Sequence, residues 1–372
     1  MAMVFTARAV RRAAVRAPPP STARRPVVAR RAAPVLAPAR PGRGTAAVRV
    51  VAFRDVHREE MIVKMGNGLI NSWFKGIRDG PDTVRDALAT TLDDSVRYAS
   101  HAVVKNVEGQ GPEFIAKHMA QERARMKVLD WRVIASAACS QDDTFFALVE
   151  VKYASKSAKS DKPLVAYKVF EADVMYDDTA LRALCIHERG QLMPEEVMGI
   201  ASIDSAQRLC TAVPFPEADV TPYPKGLDNE TVLKNTRAWC QARSSGQQEG
   251  ILDQVLDPSF RLWDAYGMLP VICDRRKTPD ACTVRYADVK DIIRQTKENY
   301  AIRCTQLDCA VSADRSVALQ HWRSVVTPKA GGKPFTIDGV EVDVFGPDGK
   351  IKDIWLFRDP MDHEKAALEG GA

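Results

Sequence analysis

The sequence states one pattern twice. Val169–Val197 reads VFEADVMYDDTALRALCIHERGQLMPEEV, and Gly339–Leu368 reads GVEVDVFGPDGKIKDIWLFRDPMDHEKAAL. A shift of 170 residues brings Asp173-Val174 onto Asp343-Val344, Leu181 onto Ile351 and Leu184 onto Ile354. Each passage is an apolar strand, a turn (Asp177-Asp178 or Pro347-Asp348-Gly349), a second strand and a polar exit. Asp-Gly between alternating runs is a strong hairpin signal. Upstream, SQDDTFFALVEVKY (Ser140–Tyr153) parallels SADRSVALQHWRSVV (Ser312–Val326), a polar turn entering a strand. TTLDDSVRY (Thr90–Tyr98) parallels QVLDPSFRLW (Gln254–Trp263), where a helix gives way to a strand. Between these, GPEFIAKHMAQERARM and YADVKDIIRQTKENY carry short amphipathic helices, with Gly111-Pro112 and Asp288 as start signals. Such a chain folds as two similar units of about 140 residues, each large enough for its own core. The second unit's first helix starts near Asn229-Glu230 and buries Val232, Leu233, Thr236 and Trp239-Cys240; its counterpart lies within Gly66 to Ala89, broken around Gly80-Pro81.

Charge separates the ends from this body. Residues 1–52 hold 11 arginines and no Lys, Asp or Glu, so taking them from the net charge of +5 leaves −6 on the rest. A net acidic folded part argues against a nucleic-acid binder. No apolar run approaches the roughly 20 residues of a membrane span. The leader is rich in Ala, Arg and Pro with no long periodicity, the composition of an organellar presequence. Its uncharged start and its end at Val50-Val51-Ala52 resemble green-algal plastid transit peptides, which implies the chloroplast stroma; its Arg richness with few Ser also suits the mitochondrial matrix. The expected organisation is a disordered transit peptide (1–52), a first domain (53–199), a Pro-rich linker (200–228), a second domain (229–368) and a short tail (369–372).

Eight cysteines in a chain of this size do not make a disulfide framework. Cys304 and Cys309 lie five apart on a predicted strand, hence on opposite faces, and no metal centre is expected from them. Cys273 and Cys282 flank the charged loop DRRKTPDA and are a candidate redox pair, their pairing left open. The glycine-rich nucleotide loops, the G-x-S-x-G elbow and the H-E-x-x-H zinc motif are all missing, so no cofactor is expected.

Val344-Phe345-Gly346-Pro347-Asp348-Gly349-Lys350-Ile351, followed by Ile354-Trp355-Leu356-Phe357-Arg358-Asp359, resembles the SnoaL-like branch of the nuclear transport factor 2-like superfamily. Leu256-Asp257-Pro258-Ser259-Phe260 is similar to that family's entry into its first strand. The first copy is degenerate: it lacks the Gly-Lys, and His187-Glu188-Arg189 replaces Phe-Arg-Asp. The resemblance implies an α+β chain of two cone-like domains, each a curved antiparallel sheet wrapped around N-terminal helices, with an apolar pocket. The superfamily holds isomerases, cyclases, epoxide hydrolases and silent binding or dimerisation modules, so the pocket residues must decide the function.

Parity along the strands supplies candidates. Aligned on the shared turn, Val317, Leu319, His321, Arg323 and Val325 match the apolar face Phe145, Ala147, Val149, Val151 and Tyr153. His321 then replaces Val149 on an inward face as a candidate general base, or is a half-buried histidine held by a hydrogen bond. Arg323 on the same wall could hold a carboxylate or enolate oxygen. Asp343, matched to Asp173, is a second catalytic candidate if its strand face looks into the pocket; Val342 and Val344 beside it favour a solvated reading. Trp263, Tyr266, Trp355 and Phe357 are candidate walls for a planar ligand, or core filling. The expected function is binding of a small apolar or planar molecule in the second cone, with isomerase- or cyclase-type acid–base chemistry as its enzymatic form. The alternative is a non-catalytic scaffold in which the two sheets pair within one chain or a dimer.

Overall fold

A computed structural model describes residues 55–100, 107–156, 163–176, 180–190, 227–247, 250–264 and 283–359. The leader, most of the Pro-rich segment, the Asp177-Asp178 turn, Tyr266, Cys273, Cys282 and the tail lie outside the described residues.

The first half opens with α1 (Val56–Asp79), ten residues earlier than the sequence suggests, because Asp55 caps it by accepting the Arg58 amide hydrogen at 3.0 Å. It stops at Gly80, whose φ of 113° only glycine adopts readily. A 3-10 turn (Pro81–Val84) leads into α2 (Arg85–Thr91), β1 (Leu92–Ser100), β2 (Val107–Gln110), α3 (Pro112–Arg125) and four long strands. These are β3 (Met126–Cys139), β4 (Thr144–Ser155), β5 (Leu164–Tyr176) and β6 (Leu181–Gly190). The second half repeats the scheme with α4 (Asn229–Ala242), α5 (Ile251–Val255), β7 (Leu256–Asp264), β8 (Thr283–Arg285) and α6 (Tyr286–Asn299). Then come β9 (Tyr300–Val311), β10 (Val317–Pro328), β11 (Phe335–Phe345) and β12 (Ile351–Arg358).

Both sheets have six strands, in the orders β2-β1-β6-β5-β4-β3 and β8-β7-β12-β11-β10-β9. They are mixed rather than purely antiparallel, since β1 runs parallel to β6 and β7 parallel to β12. Each curves around its own helices. One cone is filled by Ile70, Trp73, Phe74, Phe145 and Phe170 among others, the second by Trp239, Phe260, Phe345, Ile351 and Ile354. The outer sheet faces pack on each other: Phe146, Leu148, Tyr167 and Val169 meet Leu319, Val340, Val342, Trp355 and Phe357 in one buried cluster.

The registers show which residues of the two halves are equivalent. A bulge interrupts β5–β6 between Asp173 and Val174, and β11–β12 between Val344 and Phe345. Val174 N–H donates to Asp143 O at 2.8 Å, and Phe345 N–H to Ser316 O at 2.9 Å. Val344 therefore stands where Asp173 does, Asp343 where Ala172 does, and Glu341 where Phe170 does. On the neighbouring strand the pairs Leu148–Val169 and His321–Val340 make His321 the counterpart of Leu148, not of Val149. The turns explain the slip. The residue of positive φ is Asp143 in one and Arg315 in the other, but Ser316 is added before the second strand begins. A shift of one residue moves a whole strand's side chains to the opposite face.

Candidate functional site

The corrected register puts Asp343 inside the second cone and His321 outside it. Both faces of β11 are buried, so alternation of valines and acids did not separate core from solvent. Val340, Val342 and Val344 cover the other sheet. Glu341 and Asp343 point at the cone's own helices, each 0% exposed.

A buried polar cluster surrounds these two acids. Glu341 accepts hydrogen bonds from Trp239 Nε1 (3.0 Å), Arg243 Nη1 and Nη2 (3.2 and 2.8 Å) and Gln320 Nε2 (2.8 Å). The same Gln320 nitrogen donates to Asp343 Oδ2 at 2.7 Å, and Gln320 Oε1 accepts from Gln306 at 2.9 Å. Arg243 lies between the rings of Trp239 and Trp322, 5.0 and 4.5 Å from their centroids. Asp343 Oδ1 and Arg243 Nε have no hydrogen-bond partner. Burial pushes Glu341 up to about 7 against the pull of Arg243. Burial and the Glu341 charge hold Asp343 well above the usual carboxylate range. The cluster thus sets Asp343, raised by burial and by the Glu341 charge, beside Glu341, which is close to its midpoint at neutral pH.

Cys240 on α4 and Cys304 on β9 adjoin it, their sulfurs 3.1 Å apart. The hydrogen bond with Cys240, helped by the Arg243 charge, lowers the Cys304 thiol to about 6. Cys304 and Cys309 share the inner face, contrary to the expectation from strand parity. A bulge at Leu307 pairs Cys304 with Ser324 and Cys309 with Gln320, which lie four apart on one face of β10.

The first cone holds a different polar core. Tyr98 donates to Glu188 at 2.9 Å and lies 2.8 Å from His118 Nε2, and Lys168 pairs with the other Glu188 oxygen. None of these side chains has an orphaned atom. Burial opposes the Glu188 charge, but Lys168 outweighs it and Glu188 is held below its ordinary range. This network is saturated and suits a structural role; the second cone's cluster is not saturated.

The remaining candidates line the junction between the sheets. His321 Nδ1 is 2.9 Å from Glu171 Oε1 of the other sheet, and its Nε2 is 3.7 Å from Asp338. Burial would lower the imidazole, yet Glu171 raises it to about 9. That is too basic for a general base near neutrality. Arg323 forks onto Asp338 at 2.9 and 2.8 Å. Trp263, Trp355 and Phe357 belong to the inter-sheet cluster, Trp263 and Trp355 stacked at 6.3 Å, and so are not walls of the cone interior. Asp264, at the end of β7, accepts a hydrogen bond from Arg358. The sequence reading missed Glu341, Gln320 and Arg243. A shift of 171 rather than 170 would have exposed the first, by setting Glu341 and Asp343 against Phe170 and Ala172.

No family model matches this chain, and no curated protein matches it. Among solved structures it is similar to TsrD from Streptomyces laurentii, at 17% identity and a TM-score of 0.28, over 36% of this chain and 92% of that one. PrhC from Penicillium brasilianum is similar at 14% identity and a TM-score of 0.28, over 38% and 87%. An NTF2-like protein of unknown function from an Exiguobacterium species is similar at 15% identity and a TM-score of 0.26, over 35% and 99%. Each of these matches covers little more than a third of this chain.

Proposed function

We propose that the protein binds a small organic molecule within the second cone and exchanges a proton with it through Asp343 and Glu341. The observation that carries this reading is the wholly buried Asp343 carboxyl, with one oxygen unpartnered, where the first cone has Ala172. An orphaned buried oxygen costs about 1–3 kcal/mol, a cost a native site tolerates where a ligand or proton completes it. Glu341 is fixed by Trp239, Arg243 and Gln320, which makes it the anchored partner and Asp343 the one that meets the ligand. When protonated, the Asp343 carboxyl donates to a carbonyl or hydroxyl oxygen, and Trp322 and Trp239 contribute apolar surface beside it. Isomerisation or cyclisation through an enol fits this acid–base pair.

Mass spectrometry of small molecules retained by the native protein and by Asp343→Leu tests the reading. Loss of a retained compound in the variant is expected, with Gly68→Ala, on the exposed side of α1, as a folded control. Identical complements from wild type and Asp343→Leu would count against it. The buried inter-sheet cluster favours the second reading, a module whose sheets pair within one chain, in which ligand retention is nil. The acid-free, arginine-rich leader supports delivery to an organelle, the chloroplast stroma first and the mitochondrial matrix second. N-terminal sequencing from the host should then begin near Phe53. Among the described residues no helix is long and apolar enough to cross a membrane.

A further inference from the structure

We propose that Glu171, Asp308 and His321 form a binding site for a divalent transition-metal ion that bridges the two sheets. Each offers a ligand atom, and the three atoms lie within 4.8 Å of one another. The donors come from β5 of one sheet and from β9 and β10 of the other, where Asp308 and His321 are direct register partners. That pairing depends on the bulge at Leu307, which turns Asp308 to the junction while Cys309 returns to the cone interior.

A second observation points to a missing ligand. The Glu171 side chain is 5% exposed, and its Oε2 has no hydrogen-bond partner; His321, at 13%, has only the 3.7 Å contact with Asp338 at its Nε2. A buried carboxylate oxygen left without a partner is costly unless something completes it. The surroundings supply the charge for a cation. Glu171, Asp142 and Asp173 act on Asp308 as negative neighbours, while His187 and Arg189 act on Glu171 as positive ones, Arg189 being also engaged by Asp359 at 3.1 Å.

One imidazole and two carboxylates suit zinc, manganese or cobalt rather than calcium, which takes oxygen ligands alone. Tetrahedral ligands about 2.0–2.2 Å from an ion lie roughly 3.4 Å apart, so a span of up to 4.8 Å closes by small side-chain rotations. Three protein ligands leave a position for water. An ion here would tie the sheets together at a polar point beside their apolar contact, as the Arg189–Asp359 ion pair also does. This inference is independent of the second cone's interior and stands or falls without it.

The test is titration of the metal-free, full-length protein with Co(II), read by visible absorption, and with Zn(II), read by calorimetry and thermal melting. Wild type should bind one equivalent tightly and melt higher with metal, and a chelator should reverse both. Asp308→Asn should weaken binding by at least about tenfold, with the far-UV circular dichroism of wild type. If His321→Gln fails to fold, Glu171→Gln provides the second ligand deletion. The proposal is overturned if folded wild type gives no d–d band with Co(II). It is equally overturned if Asp308→Asn and Glu171→Gln bind Zn(II) as wild type does, because the metal is then held by other His or Cys side chains.

Discussion

Bringing the protein from pH 8 to pH 5 protonates Glu341 inside the second cone, and the sign of the effect is unusual for an acid. Glu341 rises from 4.5 to about 7 on folding, and Asp343 moves the same way, both first through burial. The folded state therefore holds these protons more tightly than the unfolded chain. Their contribution to stability is complete below the unfolded value and is lost as pH rises through the folded one. At about 1.4 kcal/mol per unit, the Glu341 shift is worth roughly 2–3 kcal/mol between pH 5 and 8. The charged groups facing the pair are Arg243 and the Cys304 thiol, with Cys309 near Asp343. Asp308, raised to about 6, and His321, raised to about 9, slope in the same direction over overlapping windows. Glu171, lowered to about 2, has the opposite slope, but below pH 4.5. The informative quantity is thus a difference: urea unfolding of wild type and of Glu341→Gln/Asp343→Asn at several pH values. Wild type should lose at least roughly 2–3 kcal/mol more than the double variant between pH 5 and 8, the share of Glu341 alone. Parallel stability curves would refute the assignment of a raised carboxyl pair to the cone interior.

A Cβ at Gly66 would lie 2.4 Å from the buried Phe145 ring, whereas one at Gly68 meets nothing within 4 Å. Gly66→Ala should cost about 1–3 kcal/mol by overpacking, and Gly68→Ala should gain up to about 1 kcal/mol, both read by denaturant midpoint. Trp355, 2% exposed at the sheet junction, should cost about 3–5 kcal/mol as Trp355→Ala, without changing what the second cone retains. Lys168→Met leaves Glu188 buried without its cation and should cost about 3–5 kcal/mol. Adding Glu188→Leu should restore part of that loss, which thermal melting of the single and double variants will measure.

Fold was legible because hairpin, capping and periodicity signals are local, and because the second hairpin is marked by Gly349 at a φ of 78°. The helix starts at Asn229 and Pro112 and the helix-to-strand changes at Leu92 and Leu256 follow the same local chemistry. Facing was not legible. Ser316 and the bulge at Leu307 are single residues, and each reverses which side of a strand is inward. Sheets buried on both faces compound the problem, because a valine row then identifies a partner without saying which one. His321 was found by its polarity in an apolar row, but Glu171, its partner, lies 150 positions away on the other sheet.

The outer faces of the two cones meet within one polypeptide, and this changes what can happen to them over time. In a homodimer related by a two-fold axis, each substitution arrives twice, and a cation that finds an anion must find it at both copies of the contact. Here the two sides are separate stretches of one coding sequence. Leu148 can remain a leucine while its counterpart becomes His321, and Glu171 can arise opposite it with Val342 unchanged. The same freedom holds inside the cones, where one interior closed around a satisfied Lys168–Glu188 pair and the other kept an incomplete carboxyl cluster. Joining the two units in a single chain lets one close around a saturated polar core while the other keeps an unsaturated one.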